Sequence, residues 1–321
     1  MRAMQITELG KPLEMRNVVM PKPSGDEVLV RTQTCGLNFG DLLVVKGTYQ
    51  EKPTLPATIG MELCGVVEDV GPNVKGLSVG QRVAAYSGFG GLAEYITLPT
   101  KICVPIPDLM TSVDAAAFLV AYGTSHVGLD YKANLKRGER LLVLGASGGV
   151  GLTAVELGKL MGAEVIACAR GADKLAVAKA VGADHLLDTE HVDLRSAVKA
   201  LGGADVVYDP VGGDLFNAAL RGCNPEARLL PLGFASGAVP QVPANILLVK
   251  NLTVLGFYWG GYMRVNSKVL TDSFAVLFEW YIQGKLKPHV SHLLPFEQAN
   301  EGLELLRSRK ATGKVVIQIQ S

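Results

Sequence analysis

The spacing of apolar residues changes partway along the chain. Over roughly the first 120 residues it alternates: "EVLVRTQT" puts Val28, Val30 and Thr32 on one side and Leu29 and Arg31 on the other. Short valine-rich runs, "ELCGVVEDVGPNV" and "GQRVAAY", close on Gly-Pro and Val-Gly turns, and "LAEYITLP" and "KICVPIP" follow the same style. Many short strands punctuated by Gly and Pro predict a β-rich, barrel-like or sandwich domain. The stretch "SVDAAAFLVAYGTSHVGL" breaks the alternation. Its alanine run favours helix, with Ser112 as the expected N-cap.

From Gly138 onward, continuously apolar runs alternate with helix-like ones. "RLLVLG", "EVIACA", "HLLD", "DVVYDPVG", "ARLLPLGF" and "LTVLGFYW" read as strands; "VGLTAVELGKLMG", "ADKLAVAKAVG", "LRSAVKALGG" and "DLFNAALRGC" read as helices. Three helices end alike, in "KLMGAEV", "KAVGADHL" and "KALGGADV". Each places lysine in the last turn, where it suits the negative end of the dipole, and then a glycine able to take the left-handed cap. Continuously apolar strands with helical crossovers predict a parallel, doubly wound sheet. The tail returns to mixed elements: a helix in "LTDSFAVLFEWYIQG", another in "FEQANEGLELLRSRKATG" and a last strand in "KVVIQIQ" that is expected to rejoin the first domain. The fold class is thus α/β: a β-rich domain (1–121 and 260–321) interrupted by an inserted doubly wound domain (122–259).

Composition narrows the function. With 31 basic and 30 acidic residues among 321, the net charge is +1. The broad positive field that attracts nucleic acid or anionic membrane is absent. The 48% hydrophobic and 19% charged residues describe a globular chain rather than a disordered one. Cysteines stand singly at 35, 64, 103, 168 and 223, with no CxxC pair, which points to reduced thiols in a cytoplasmic setting. "MRAMQITELGKP" lacks an apolar signal core, and no uncharged run approaches the ~20 residues that span a bilayer.

The candidate chemistry begins at "LLVLGASGGVG" (141–151). Aligned to the GxGxxG fingerprint of dinucleotide binding, it reads Ala146-Ser147-Gly148-Gly149-Val150-Gly151. The first glycine is replaced by alanine. Gly148, which lets the backbone approach a pyrophosphate, and Gly151, which lets helix and strand pack closely, are kept. The turn follows a strand and opens a helix, so helix-end amides would face the phosphates. Where an acid would hold the ribose of NAD, the second strand ends at Arg170, with Lys174 one turn on; cations there suit the 2′-phosphate of NADPH. Asp173 stands between them, and surface charge is the competing reading.

Taken with "CGLNFGDLLVVKGTY" (35–49), "IGMELCGVVEDVGPNV" (59–74), "YGTSH" (122–126), "VVYDPVGG" (206–213), "GFASG" (233–237), "GFYWG" (256–260) and "ATGKVVI" (311–317), nearly the whole chain resembles the zinc-free quinone oxidoreductase branch of the medium-chain dehydrogenase/reductase superfamily. The resemblance implies a GroES-like domain carrying an inserted Rossmann domain. It departs from the superfamily's zinc enzymes, which have cysteine where this chain has Asn38 and histidine where it has Met61; the four-cysteine zinc lobe is also missing. No metal is expected, and without a Lewis acid the hydride acceptor must already be electrophilic, as quinones and conjugated carbonyls are.

The resemblance also implies roles for single residues. Asn38 and Asp41 meet the nicotinamide ribose and carboxamide, and Phe39 packs near the ring; Asp41 is alternatively the N-cap of the helix that follows. Thr124 supplies a hydroxyl beside the nicotinamide, with a helix N-cap or a back-bond inside the helix as its competing role. Ser147, Gly148, Gly149 and Val150 line the phosphates, and Lys174 and Thr189 the adenosine phosphate, relatives often having tyrosine at the latter. Gly233, Phe234 and Phe257 flank the cofactor cleft, with Lys314 as a weaker candidate. Tyr49 is the candidate proton donor and equally a packing residue; His126 reads as structural, and Tyr258 and Trp259 as pocket lining or subunit contact. The expected activity is transfer of hydride from NADPH to a quinone. The rivals are reduction of an enoyl compound or 2-alkenal, including acyl-CoA, and non-catalytic NADPH binding. A homodimer through the last Rossmann strand would cover its apolar edge.

Overall fold

Alternating runs at the start of the chain become strands. The computed structural model describes residues 1–320. The N-terminal stretch forms β1 (Arg2–Ile6), β2 (Glu14–Asn17), β3 (Glu27–Leu37), α1 (Phe39–Lys46), β4 (Ala57–Thr58), β5 (Glu62–Val70), β6 (Arg82–Tyr86), β7 (Tyr95–Pro99), β8 (Cys103–Pro105) and α2 (Ser112–Ala116). The long strand β3 serves two cores. Val28 and Val30 pack with Leu63, Val67 and Val83. Cys35 and Leu37 pack with Ile59, Met61 and Ile317. Its register with β5 breaks at Leu29/Val30 and again at Thr32/Thr34, and the second break lies between these halves; bulges turn a strand and re-aim its side chains. The cap of α2 is Thr111 rather than Ser112. The Thr111 side chain accepts the Asp114 amide at 3.0 Å, and Ser112 is already helical.

The second stretch comprises α3 (Leu119–His126), β9 (Arg140–Leu144), α4 (Gly149–Leu160), β10 (Glu164–Ala169), α5 (Ala172–Ala180), β11 (His185–Asp188), α6 (Leu194–Ala200), β12 (Ala204–Asp209), α7 (Gly213–Gly222), β13 (Cys223–Pro231), α8 (Ala244–Lys250), β14 (Thr253–Val254), α9 (Tyr262–Val265) and α10 (Ser267–Ile282). Its six strands are all parallel, in the order β11-β10-β9-β12-β13-β14. That is the doubly wound arrangement, whose order reverses beside β9. Leu141–Leu144 and Val165–Cys168 have no exposed surface, as strands covered on both faces require. The glycines after the three lysine-ended helices, Gly162, Gly182 and Gly202, all have positive φ (85°, 109° and 95°). Lys159 and Lys179 each reach past their own cap to a carbonyl, of Ala163 and Ala183.

The C-terminal stretch adds β15 (Val290–Pro295), α11 (Ala299–Arg307) and β16 (Lys314–Gln318). Strand β16 runs antiparallel to β3, pairing Val315 with Leu37 and Gln318 with Thr34. It completes a sheet ordered β15-β16-β3-β5-β6-β8, with β7 also on β3. The last strand therefore rejoins the N-terminal stretch through the sheet of β3, as expected.

Two differences from the sequence reading concern boundaries. The chain divides into Met1–Val120 with the stretch from Pro288 onward, and Ala121–Lys287, so the second crossing falls near 288 and not 260. The cause is α10, which packs within the doubly wound unit: Ser273 bonds His126 at 2.9 Å, and Phe274 stands edge-on to Trp259. The other concerns "LTVLGFYW", of which only Thr253 and Val254 pair as strand. Trp259 instead turns into the interior, 5% exposed, at the start of a 3-10 turn; burying a large aromatic outweighs extending an edge strand.

Candidate functional site

The glycine-rich turn leaves β9 with Gly145 at φ 61° and enters α4 through Gly148 as N-cap. That cap has no side chain to accept a bond, and no acid lies in the first turn. The first amides of a twelve-residue helix are therefore left without side-chain acceptors at its positive end, which is what an anionic phosphate needs. A Cβ on Gly151 would lie 2.2 Å from the Gly145 carbonyl oxygen, so only glycine lets the helix start this close to the strand. A buried hydroxyl network holds the turn: Ser125 Oγ bonds the Val150 carbonyl (2.9 Å), Thr153 Oγ1 (2.7 Å) and Tyr208 Oη (2.9 Å). Ser147, 7% exposed, sits within the turn.

At the end of β10, Arg170 is exposed and makes no side-chain hydrogen bond or ion pair among the described residues. Lys174 follows in the first half of α5, whose cap Gly171 has φ 81°. Thr189 instead bonds inward, its amide donating to the Ala169 carbonyl at 3.0 Å and its hydroxyl at 3.4 Å. Asp188 accepts the Gly171 amide at 3.2 Å, joining the ends of β10 and β11. Gly233 and Phe234 belong to a loop folded onto 210–213 through Ala235 N to Pro210 O (3.1 Å) and Ser236 N to Val211 O (2.9 Å). Phe234 is 41% exposed, and Phe257 is half-buried against Tyr262. Asp209 at the end of β12 went unnoticed in the sequence. Its Oδ1 accepts the amides of Val211 and Gly212 (2.7 and 2.9 Å), Oδ2 has no hydrogen-bond partner among the described residues, and burial raises its pKa.

Thr124 is neither a cap nor back-bonded. It lies inside α3, 9% exposed, and its hydroxyl has no hydrogen-bond partner among the described residues. His126 is structural in its contacts: Nδ1 pairs with Ser273 Oγ, Trp280 stands edge-on at 5.6 Å, and burial lowers its pKa.

In the other unit, Asn38 and Lys314 converge on Glu62, a residue with no role in the sequence analysis. Asn38 caps α1, but its side chain points to the sheet: Nδ2 donates to Glu62 Oε1 (2.9 Å) and to the Gly36 carbonyl (3.3 Å), and Oδ1 accepts from Lys314 Nζ (2.8 Å). Lys314 Nζ also pairs with Glu62 Oε1, and Glu62 Oε2 accepts the Val120 amide at 3.0 Å. Glu62 and Lys314 are 1% and 5% exposed. Asp41 is not the cap. It is the third helical residue, and its Oδ2 accepts the Asn38 amide at 2.8 Å. It has no exposed surface, and burial pushes its carboxyl up to about 7 against the opposing pull of Asn38's amide and Lys314. Its Oδ1 has no hydrogen-bond partner among the described residues. Phe39 is 40% exposed. Tyr49 is half-buried beside Gly40, where an added Cβ would meet Met61 and, at 3.3 Å, the Tyr49 ring.

Residues 24–108 match the alcohol dehydrogenase GroES-like domain, and residues 149–273 match the zinc-binding dehydrogenase domain. The quinone oxidoreductase-like protein 2 homolog of Nematostella vectensis is 40% identical over 98% of this chain and 88% of its own length. The chain belongs to the quinone oxidoreductase branch of the medium-chain dehydrogenase/reductase superfamily. Two solved members superpose over 99% of this chain and 100% of theirs: a mycobacterial protein complexed with NADPH (TM-score 0.93, 32% identity) and the Escherichia coli quinone oxidoreductase complexed with NADPH (TM-score 0.92, 28% identity). This oxidoreductase is thus built on the GroES-like and Rossmann domains that its motifs implied.

The donor set of this family member does not suit zinc. Asn38 is committed to Glu62 and Lys314, and Met61 is buried in the apolar core. Among the described residues, no three of His, Cys, Asp and Glu meet as a set able to hold a metal. Cys35 and Cys64 are fully buried thiols; burial raises the first well above its ordinary pKa and pushes the second up to about 12. No helix among the described residues is long and apolar enough to cross a membrane.

Proposed function

We propose that the protein transfers a hydride from NADPH to a quinone, with no metal ion polarising the acceptor. The observation that carries this reading is the bare, acid-free N-terminus of α4 beside the point where strand order reverses, in a chain whose neighbours were solved with NADPH. When bound, NADPH supplies the hydride. The amides of Gly149 and Val150, with Ser147 and Gly148, hold the pyrophosphate; Arg170 and Lys174 hold the 2′-phosphate, with Thr189 at the adenosine side. The unpaired Thr124 hydroxyl serves the nicotinamide, alongside Asn38, Phe39 and Asp41, and Gly233, Phe234, Phe257 and Lys314 complete the cofactor's surroundings. With Asn38 and Met61 where zinc ligands would stand, the protein contributes positioning and exclusion of water, which suits an acceptor whose conjugation already spreads the incoming charge. Quinone, hydride and one proton give the quinol, and solvent can deliver that proton; Tyr49 is the candidate donor for an acceptor whose product carbanion needs an acid.

A homodimer through β14 belongs to the same proposal. Helix α8 just before it has no buried residue, and Leu248 and Val249 are 76% and 73% exposed. The cytoplasm is the proposed setting.

The test is NADPH oxidation, followed by absorbance, against benzoquinone, naphthoquinone, 2-alkenals and crotonyl-CoA. Quinone turnover with the rest poor is the expected result. Turnover confined to alkenals or crotonyl-CoA would make it a double-bond reductase. Tight NADPH binding with no turnover at all would leave a non-catalytic binder.

A further inference from the structure

Among the described residues, a nearly fully buried ion pair joins Lys314 to Glu62, a residue with no assigned role. Glu62 opens β5, Lys314 opens β16, and Asn38 caps α1; their polar ends close a triangle, since each bonds both of the others. The chain brings Lys314 to Glu62 across 252 residues. Space there is set by backbone: a Cβ on Gly36 would lie 1.9 Å from the Ala116 carbonyl oxygen and 3.1 Å from Glu62 Oε1.

The triangle fixes the sense of the Asn38 amide. Flipping it would set Oδ1 against the Glu62 carboxylate and Nδ2 against the Lys314 ammonium, and both contacts would be repulsive. Both Nδ2 hydrogens are spent on Gly36 and Glu62, so Oδ1, with a second lone pair, is the atom left to meet a ligand. The other Glu62 oxygen takes the Val120 amide. Val120 is the second residue of α3, where an amide has no partner within the helix, and a carboxylate there is favoured by the dipole.

We propose that Glu62, held by Lys314, is a positioning residue for hydride transfer: one oxygen sets the Asn38 amide, while the other is anchored by the Val120 amide. This rests on the NADPH oxidoreductase reading, because Asn38 is assigned there to the nicotinamide.

Three variants separate positioning from mere burial of charge. Glu62→Gln keeps the shape but cannot accept from the Val120 amide, Asn38 and Lys314 at once. Glu62→Gln combined with Lys314→Met removes both charges and the unpaired ammonium. Lys314→Arg keeps the charge and its donors. For whichever acceptor the wild-type protein reduces, we expect kcat to fall at least tenfold in Glu62→Gln with the acceptor KM changing less than threefold. The double variant should regain most of the wild-type Tm without regaining kcat, and Lys314→Arg should stay within about fivefold of wild type. A double variant with wild-type kcat, or an unimpaired Glu62→Gln, overturns the proposal. A readout without turnover keeps it separate from the functional reading. The Asn38 side-chain amide in the free protein should give two well-separated, slowly exchanging proton resonances that collapse in Glu62→Gln; identical spectra overturn the positioning role even if the enzyme is active. A wild-type protein inert to every acceptor would defeat the functional reading while this spectrum still judged the geometry.

Discussion

Asp41 shows how one buried carboxyl can tie stability to pH. Its folded pKa is raised to about 7 by burial, above the ordinary carboxylate value of about 3.9. Between these values the folded chain holds a proton that the unfolded chain has released. Stability from this group therefore declines as pH rises from about 4 through about 7, and the cost persists above. Asn in its place can still accept the Asn38 amide and has no charge to desolvate. Asp41→Asn should raise Tm relative to wild type more at pH 8 than at pH 5 by calorimetry; an equal shift at both would refute the ionisation argument. Arg170 and Lys174 belong to the same scale. Replacing both with alanine should weaken NADPH by about 2 kcal/mol through lost charged hydrogen bonds while leaving NADH nearly unchanged, which titration with each coenzyme would measure. Both cations were visible in the sequence because they follow a strand end at a fixed distance from the glycines. Glu62 was not, because its meaning depends on a lysine 252 residues away.

Element by element, the periodicity located strands and helices well and their ends less well. The three lysine-glycine helix ends appear where the pattern put them, because a left-handed glycine is a local property of the chain. The start of α2 moved by one residue, because Thr111 and Ser112 can both cap and only the geometry decides. Thr111→Ala should therefore cost about 1 kcal/mol in chemical denaturation, and Ser112→Ala a few tenths at most. The reverse order would restore the original assignment. Strand β14 shortened for a different reason: the apolar run that suggested it also carries Trp259, which finds burial inside the unit and takes the chain away from the edge.

For the molecule as a whole, the exposed apolar side chains of α8 beside a two-residue edge strand put the proposed dimer contact within reach of a simple test. Leu248→Glu with Val249→Glu should convert a wild-type dimer to monomer in sedimentation velocity and leave the Tm of the monomer close to wild type, since neither side chain contributes to a core. A monomeric wild-type protein would remove the contact altogether. The domain boundary is decided at this scale too. Helix α10 carries a pattern that would suit either unit, and it lies with the second because Ser273 and Phe274 find His126 and Trp259 there.

What the chain settles on its own is what depends on neighbours in sequence: the strand–helix alternation, the glycine turn opening α4, the cations after β10, and the return of the last strand, whose apolar period needs a sheet to join. These follow from backbone sterics and periodicity, which act over a few residues. Tertiary structure alone decides which polar groups are already spoken for. It spends the Asn38 amide on Glu62 and Lys314, seals Asp41 from water, and leaves the Thr124 hydroxyl without a partner among the described residues. Burial and hydrogen bonding are properties of where distant segments meet, and no local pattern encodes them.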